Sequence, residues 1–103
     1  MLLTTTENIN GKNIVHLGLV KGSIVQSKHL GRDMMAGFKT IVGGEIKGYT
    51  EMLSEARKIA TDRMEAEAKK LGADAIVAIR YTSSALMSGA AEVTAYGTAV
   101  KFV

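Results

Sequence analysis

A chain of 103 residues, 47% hydrophobic and 22% charged, is one globular domain spanning residues 1–103 and not a disordered segment or a two-domain protein. The absence of Cys excludes disulfides, thiolate nucleophiles and thiolate metal sites, and fits a reducing cytoplasm. Thirteen basic against ten acidic residues, a net charge of +3 with the two signs interleaved, argue against a nucleic-acid partner.

Met1 to Asn13 carries no basic stretch followed by an apolar run, and no window approaches the ~18 consecutive apolar residues of a membrane span. The expectation is a cytoplasmic chain with no membrane partner. With three Tyr, two Phe and no Trp, its core has to be aliphatic.

Leu2 to Ile9 and Ile14 to Ser27 are strand-like, and the Asn10-Gly11 turn between them predicts an opening β-hairpin. Gly18 and Gly22 interrupt the second stretch, as in a strand that is bulged or closely approached. From Leu30 the period becomes helical through Met34, Phe38, Ile41 and Val42 until Gly43-Gly44 ends the run. Gly37 inside that short helix costs about 1 kcal/mol relative to Ala, so the helix is expected to depend on tertiary packing or on something approaching its backbone closely.

A longer helix is predicted from Ile46 to Leu71. Tyr49, Met52, Leu53, Ala56, Ile59, Ala60, Met64, Ala68 and Leu71 trace its apolar stripe. Glu51, Glu55, Lys58, Asp62, Glu65 and Lys69 form the charged face, with Glu65 placed to pair with Lys69. Gly72 follows as a C-terminal cap, and Lys69-Lys70 suits the negative end of the helix dipole. Ala73 to Ser84 and Ala91 to Val103 then read as a second hairpin, joined through Ser88-Gly89.

Neither of these last strands alternates cleanly. Ala75, Val77, Ile79 and Tyr81 would face one way, and Ile76, Ala78 and Arg80 the other. Two helices cover one side of a sheet, so a sheet apolar on both sides calls for copies of itself, and closed symmetry is the default for soluble oligomers.

Five separated motifs occur in order along nearly the whole chain: Arg32-Asp33-Met34-Met35-Ala36-Gly37; Val42-Gly43-Gly44-Glu45 with Tyr49-Thr50; Arg57, Ala60 and Arg63-Met64 in the long helix; Gly72-Ala73-Asp74-Ala75 with Arg80-Tyr81; and Ala95-Tyr96-Gly97-Thr98-Ala99-Val100. Together they resemble the YbjQ family of small bacterial proteins. The resemblance implies a ββααββ subunit of dodecin-like topology, assembled as a pentameric ring with short extra strands at the subunit contacts. It also carries a heavy-metal-binding label, and with no Cys this chain departs from any thiolate version of that label.

Metal ligands would have to come from His16, His29, Asp33, Glu45 and the six Met residues. None of them has ligand spacing, and Met34, Met52 and Met64 at helical spacing read as core. His16 and His29 are the metal candidates. A second set, Arg32, Asp33, Glu45, Tyr49, Arg57, Arg80, Glu92 and Tyr96, reads as a polar cleft or interface network. Arg80, Glu92 and Tyr96 share parity, so Arg80 is expected to pair with Glu92 across the hairpin.

The alternative for that set is a small anionic ligand held by Arg32, Arg57 or Arg80 between subunits. Gly43-Gly44-Glu45 before a helix is a tight turn rather than a phosphate cradle, since no phosphate-loop pattern surrounds it. Ser or Thr with His16 or His29 has no triad context, and Asp62 and Glu65 lie on a solvated helix face.

The reading is therefore an α+β two-layer domain, an antiparallel sheet packed on one side by a helical pair, in a homopentamer. Its expected role is non-catalytic: a binding or scaffolding ring with a small ligand or metal ion at subunit contacts, whose cofactor, if any, the sequence does not name. The competing class is an enzyme of unknown reaction with an intersubunit site.

Overall fold

The computed structural model describes residues 1–27 and 47–103. Five elements follow in order: β1 (Leu2–Leu3), β2 (Ile14–Ser27), α1 (Lys47–Lys70), β3 (Ala75–Met87) and β4 (Ala90–Phe102). The strands form one sheet in the order β1-β3-β4-β2, and α1 packs on one side of it, mainly over β2 and β4. The expected α+β layering holds. The first expected helix, Leu30 to Val42, lies outside the described residues, so the described chain has α1 alone.

The sheet is mixed, not antiparallel, and the opening hairpin does not form. β1 runs parallel to β3, with Leu2 opposite Ala75 and Leu3 opposite Ile76. β2 pairs instead with β4 from Ile14–Phe102 to Ser27–Ala90, leaving β1 and β2 at opposite edges of the sheet. The turn at Asn10-Gly11 is real, with Gly11 at φ 75° and the Lys12 amide donating to Ile9 O at 3.2 Å, but it joins strands that never meet. The polar run Thr4 to Asn8 lacks the alternation needed to pair with β2. β4 offers β2 thirteen residues of partner, and the start of the chain finds backbone partners on β3: the Thr4 amide donates to Ile76 O at 3.1 Å.

α1 forms where the helical period predicted it. Met52, Ala56, Ala60, Met64 and Ala68 are buried, one residue per turn along a narrow i,i+4 line. Tyr49, Leu53 and Ile59 are half-buried beside it, and Leu71 is exposed. The helix ends in a Schellman motif: the Ala73 amide donates to Ala68 O at 3.1 Å and the Gly72 amide to Lys69 O at 3.0 Å. Gly72 sits at φ 77°, a conformation that Gly adopts without cost. Glu65 does not take Lys69 as its partner; its carboxylate lies 3.9 Å from the Met1 ammonium, and the i,i+4 ion pair on the helix is Lys58–Asp62 at 3.0 Å.

Small residues let the two layers touch backbone to backbone. A Cβ built on Gly22 would run into Ala60 O, Met64 N and Arg63 Cβ, so the glycine that broke the alternation of β2 marks the closest approach of α1. Gly18 marks the other irregularity, at φ 135° beside the register shift between His16 and Gly18.

β3 carries an extra residue that the alternation did not reveal. Val77 lies opposite Thr98 but Arg80 lies opposite Tyr96, and Ala78 between them has φ 54°. Parity flips there. Ile76 and Ile79 therefore both join the core under α1 with Val20, Val93, Ala95 and Ala99, whereas Ala75 and Val77 face the other way. Those two form a second small cluster with Val100, packed by Ile9, Ile14 and Phe102. Beyond it the far side is not apolar as expected. It presents Arg80, Thr82 and Ser84 of β3, Glu92, Thr94, Tyr96 and Thr98 of β4, and Lys21 and Ser23 of β2, with Leu19 and Val25 as the apolar exceptions.

An alanine held at positive φ carries a steric cost of roughly 1 kcal/mol that glycine does not. Ala78→Gly is expected to raise stability by about 0.5–1 kcal/mol, where the same exchange in a regular strand lowers it by a similar amount. A urea titration followed by circular dichroism measures the sign.

Candidate functional site

The sheet separates the expected polar set into two groups. On the helix side are Tyr49, half-buried in the first turn of α1, and Arg57, exposed two turns on. On the far side are Arg80, Tyr96 and Glu92. Arg32, Asp33, Glu45 and the metal candidate His29 lie outside the described residues, as does Gly43-Gly44.

The expected Arg80–Glu92 pair is not made. The unbroken register from Arg80 to Ala85 places Arg80 opposite Tyr96 and Glu92 opposite Ser84. Four residues of strand then separate Arg80 from Glu92, roughly 13 Å. Arg80 turns instead to the start of the chain, where its Nη1 donates to Thr5 O at 3.0 Å and to Ile79 O at 2.9 Å. Lys21 lies on the opposite flank of Tyr96, so Tyr96 sits between two cationic side chains in the middle of the far face.

Arg57 borders a cleft of about 220 Å³ between α1 and β3, lined by Leu53, Arg57, Tyr81, Thr82, Ser83 and Val93. Its Nη2 donates to Ser54 Oγ at 3.1 Å. Thr61, one turn later, donates its hydroxyl proton to Arg57 O at 2.7 Å. With that proton committed, the Tyr81 hydroxyl 2.7 Å away is the donor to Thr61 Oγ1. The cleft therefore combines an apolar floor, a guanidinium with donors to spare and a phenol whose ring is braced against the helix. That chemistry suits a small anion.

Tyr81 and Thr61 were absent from the expected set. The pairing of Arg57 with Thr61 at i,i+4 was readable, but placing Tyr81 on the helix side needed the bulge at Ala78.

His16 is exposed on β2 opposite Val100. Among the described residues, no group of three or more His, Cys, Asp or Glu is placed to hold a metal ion. No helix among them is long and apolar enough to cross a membrane.

A family model described as "Putative heavy-metal-binding" matches residues 1–103. The chain belongs to the YbjQ family. YbjQ-family relatives in several bacteria match it along nearly their whole length. A UPF0145 protein of Thermotoga maritima is 64% identical over 102 residues, covering 98% of this chain and 96% of the relative. One of Shewanella frigidimarina is 61% identical, covering 98% and 95%. One of Clostridium novyi is 59% identical over 103 residues, covering 100% of both.

Among solved structures, a protein with unknown function of the DUF74 family from Pediococcus pentosaceus is similar, with a TM-score of 0.64 at 18% identity, covering 100% of this YbjQ-family chain and 98% of that one. That likeness is one of fold.

Proposed function

We propose that this YbjQ-family chain is the subunit of a dodecin-like homopentameric ring in the cytoplasm, a non-catalytic binding or scaffolding protein that holds a small anionic ligand or a heavy-metal ion where subunits meet. The observation that carries the reading is apolar surface left open away from α1: Leu19 is 66% exposed and Val25 52% on the far face, and Leu86 is 51% and Met87 70% exposed at the end of the β3–β4 hairpin. Each such side chain gains about 1.5–3 kcal/mol on full burial, and a neighbouring copy is the economical cover. The shape supports it. A radius of gyration of 16.6 Å exceeds the ~13 Å of a compact 100-residue domain, as for a subunit with an arm reaching out from its core.

Arg57 at its cleft and Arg80 beside Tyr96 are the groups suited to an anion. The family description favours a metal ion. In the absence of thiols, such a site draws on His16, His29 or Met side chains converging from more than one subunit. Native mass spectrometry at micromolar concentration tests the assembly. Five 10.9 kDa chains per particle is the expected result, and a clean monomer overturns it.

A further inference from the structure

The cleft between α1 and β3 is electrostatically one-sided. Among the described residues, its lining of Leu53, Arg57, Tyr81, Thr82, Ser83 and Val93 holds one cation and no carboxylate. The helix neighbours one turn to either side of Arg57 are Leu53, Ser54, Ala60 and Thr61, so no acid stands at pairing distance along α1. Glu55, two residues back, projects to the other side of the helix, and Asp62 is taken by Lys58 at 3.0 Å. The guanidinium meets a neutral oxygen instead, Ser54 Oγ at 3.1 Å, which engages one of its five N–H donors.

The remaining lining is mostly apolar. Val93 is buried and Leu53 half-buried. Thr61 spends its own hydroxyl proton on Arg57 O, so the Tyr81 hydroxyl donates to Thr61 Oγ1 at 2.7 Å. What Tyr81 adds to the cleft is therefore ring surface rather than a free proton. Ser83 shares the parity of Tyr81 and brings one neutral hydroxyl.

Size and charge together set the class of ligand. A cleft of about 220 Å³ has the bulk volume of roughly seven waters, which suits a short acid and is too small for a nucleotide. Phosphate sites draw on several cations, a Gly-rich loop or the free amides of a helix N-terminus. Arg57 stands alone and well inside α1 (Lys47–Lys70), where helix amides are already bonded. A planar carboxylate matches the paired N–H groups of a guanidinium and sets one charge against one.

We infer that this cleft binds a small monocarboxylate with a short aliphatic tail, its carboxylate on Arg57 and its tail against Leu53, Val93 and the Tyr81 ring. The inference rests on the anion reading proposed above and gives it a chemical class and a place. It needs no residue from a neighbouring subunit. The two halves of the ligand reinforce each other, because a tail that displaces water from Leu53 and Val93 also lowers the local dielectric around the ion pair.

Sodium pentanoate is the probe. An NMR titration of isotope-labelled protein at neutral pH follows the Arg57 Nε–H and the Ser83 and Val93 amides, with acetate, inorganic phosphate and pentanol as comparisons. Saturable shifts at those three groups are expected. Pentanoate binds roughly tenfold or more tighter than acetate, through its added methylenes, and tighter than phosphate or pentanol. Arg57→Gln, at an exposed position, lowers pentanoate affinity roughly tenfold or more with an unchanged circular dichroism spectrum.

Pentanoate binding that survives Arg57→Gln overturns the site. Phosphate binding as tightly as pentanoate overturns the carboxylate class and leaves the anion reading standing, whereas no saturable shift with either anion overturns both. Native mass spectrometry of the same sample separates the site from the ring. A monomer that binds pentanoate through Arg57 supports the site and overturns the ring; a pentamer that binds none overturns the site alone.

Discussion

Gly22→Ala is expected to destabilise the domain more than any other single-methyl change considered. The added Cβ meets Ala60 O and Met64 N, which are helix backbone and cannot turn aside as a side chain would. α1 must lift off β2, and the bonds from Arg63 to Ser23 O and from Glu67 to the Lys21 amide stretch with it. Overpacking of this kind costs about 3 kcal/mol. For a domain of this size that is a fall in Tm of roughly 15 °C. Urea unfolding measures it, and a midpoint within error of the parent would show that the helix has room to move.

Met64→Ala is expected to produce a loss of similar size by the opposite route. Met64 is fully buried in the cluster under α1 with Val20, Ile76 and Ile79. Its helix neighbours along the buried line, Ala60 and Ala68, are too short to fill the space. Truncation of a buried Met costs about 2–5 kcal/mol, the upper part of that range applying where the surroundings cannot collapse. Because α1 is pinned at Gly22, collapse is restricted here, and a value near 4 kcal/mol by denaturant titration is the expected result. Met64→Leu, which nearly conserves volume, is the control and loses less than about 1.5 kcal/mol.

The parts of the fold that the sequence disclosed are those governed by local rules. α1 was readable because Met52, Ala56, Ala60, Met64 and Ala68 repeat at helical spacing and Gly72 stops the run. Gly22 and Gly18 were readable as a close approach and a bulge because a glycine inside a strand has few other uses. The opening strands do not pair as a hairpin because Asn10-Gly11 reports that the chain turns, not what it pairs with afterwards; strand order is a non-local property. Parity alone puts Arg80 and Glu92 on one face but does not fix how far apart along the hairpin they lie. Ala78 gives no warning of a left-handed residue, since Gly, Asn or Asp is the usual sign.

The candidate site suffered from the same shift. With the parity of Tyr81 reversed, its hydroxyl moves to the helix side and the cleft beside Arg57 comes into being. The capping of β2 by Arg63 and Glu67 was equally hidden, because two charged residues on an exposed helix surface look like ordinary solvation until the strand beneath them is known.

The extra residue at Ala78 has a practical consequence for reading relatives of this chain. Before it, odd-numbered residues of β3 face away from the helix; after it, they face toward it. An alignment that slides a gap across this position would exchange inside for outside along the whole distal arm, and a substitution at the residue matched to Tyr81 would be scored as surface variation when it alters a brace of the helix. Comparisons within the family should be anchored separately on Val77–Thr98 and on Arg80–Tyr96, with the intervening two residues left free to differ.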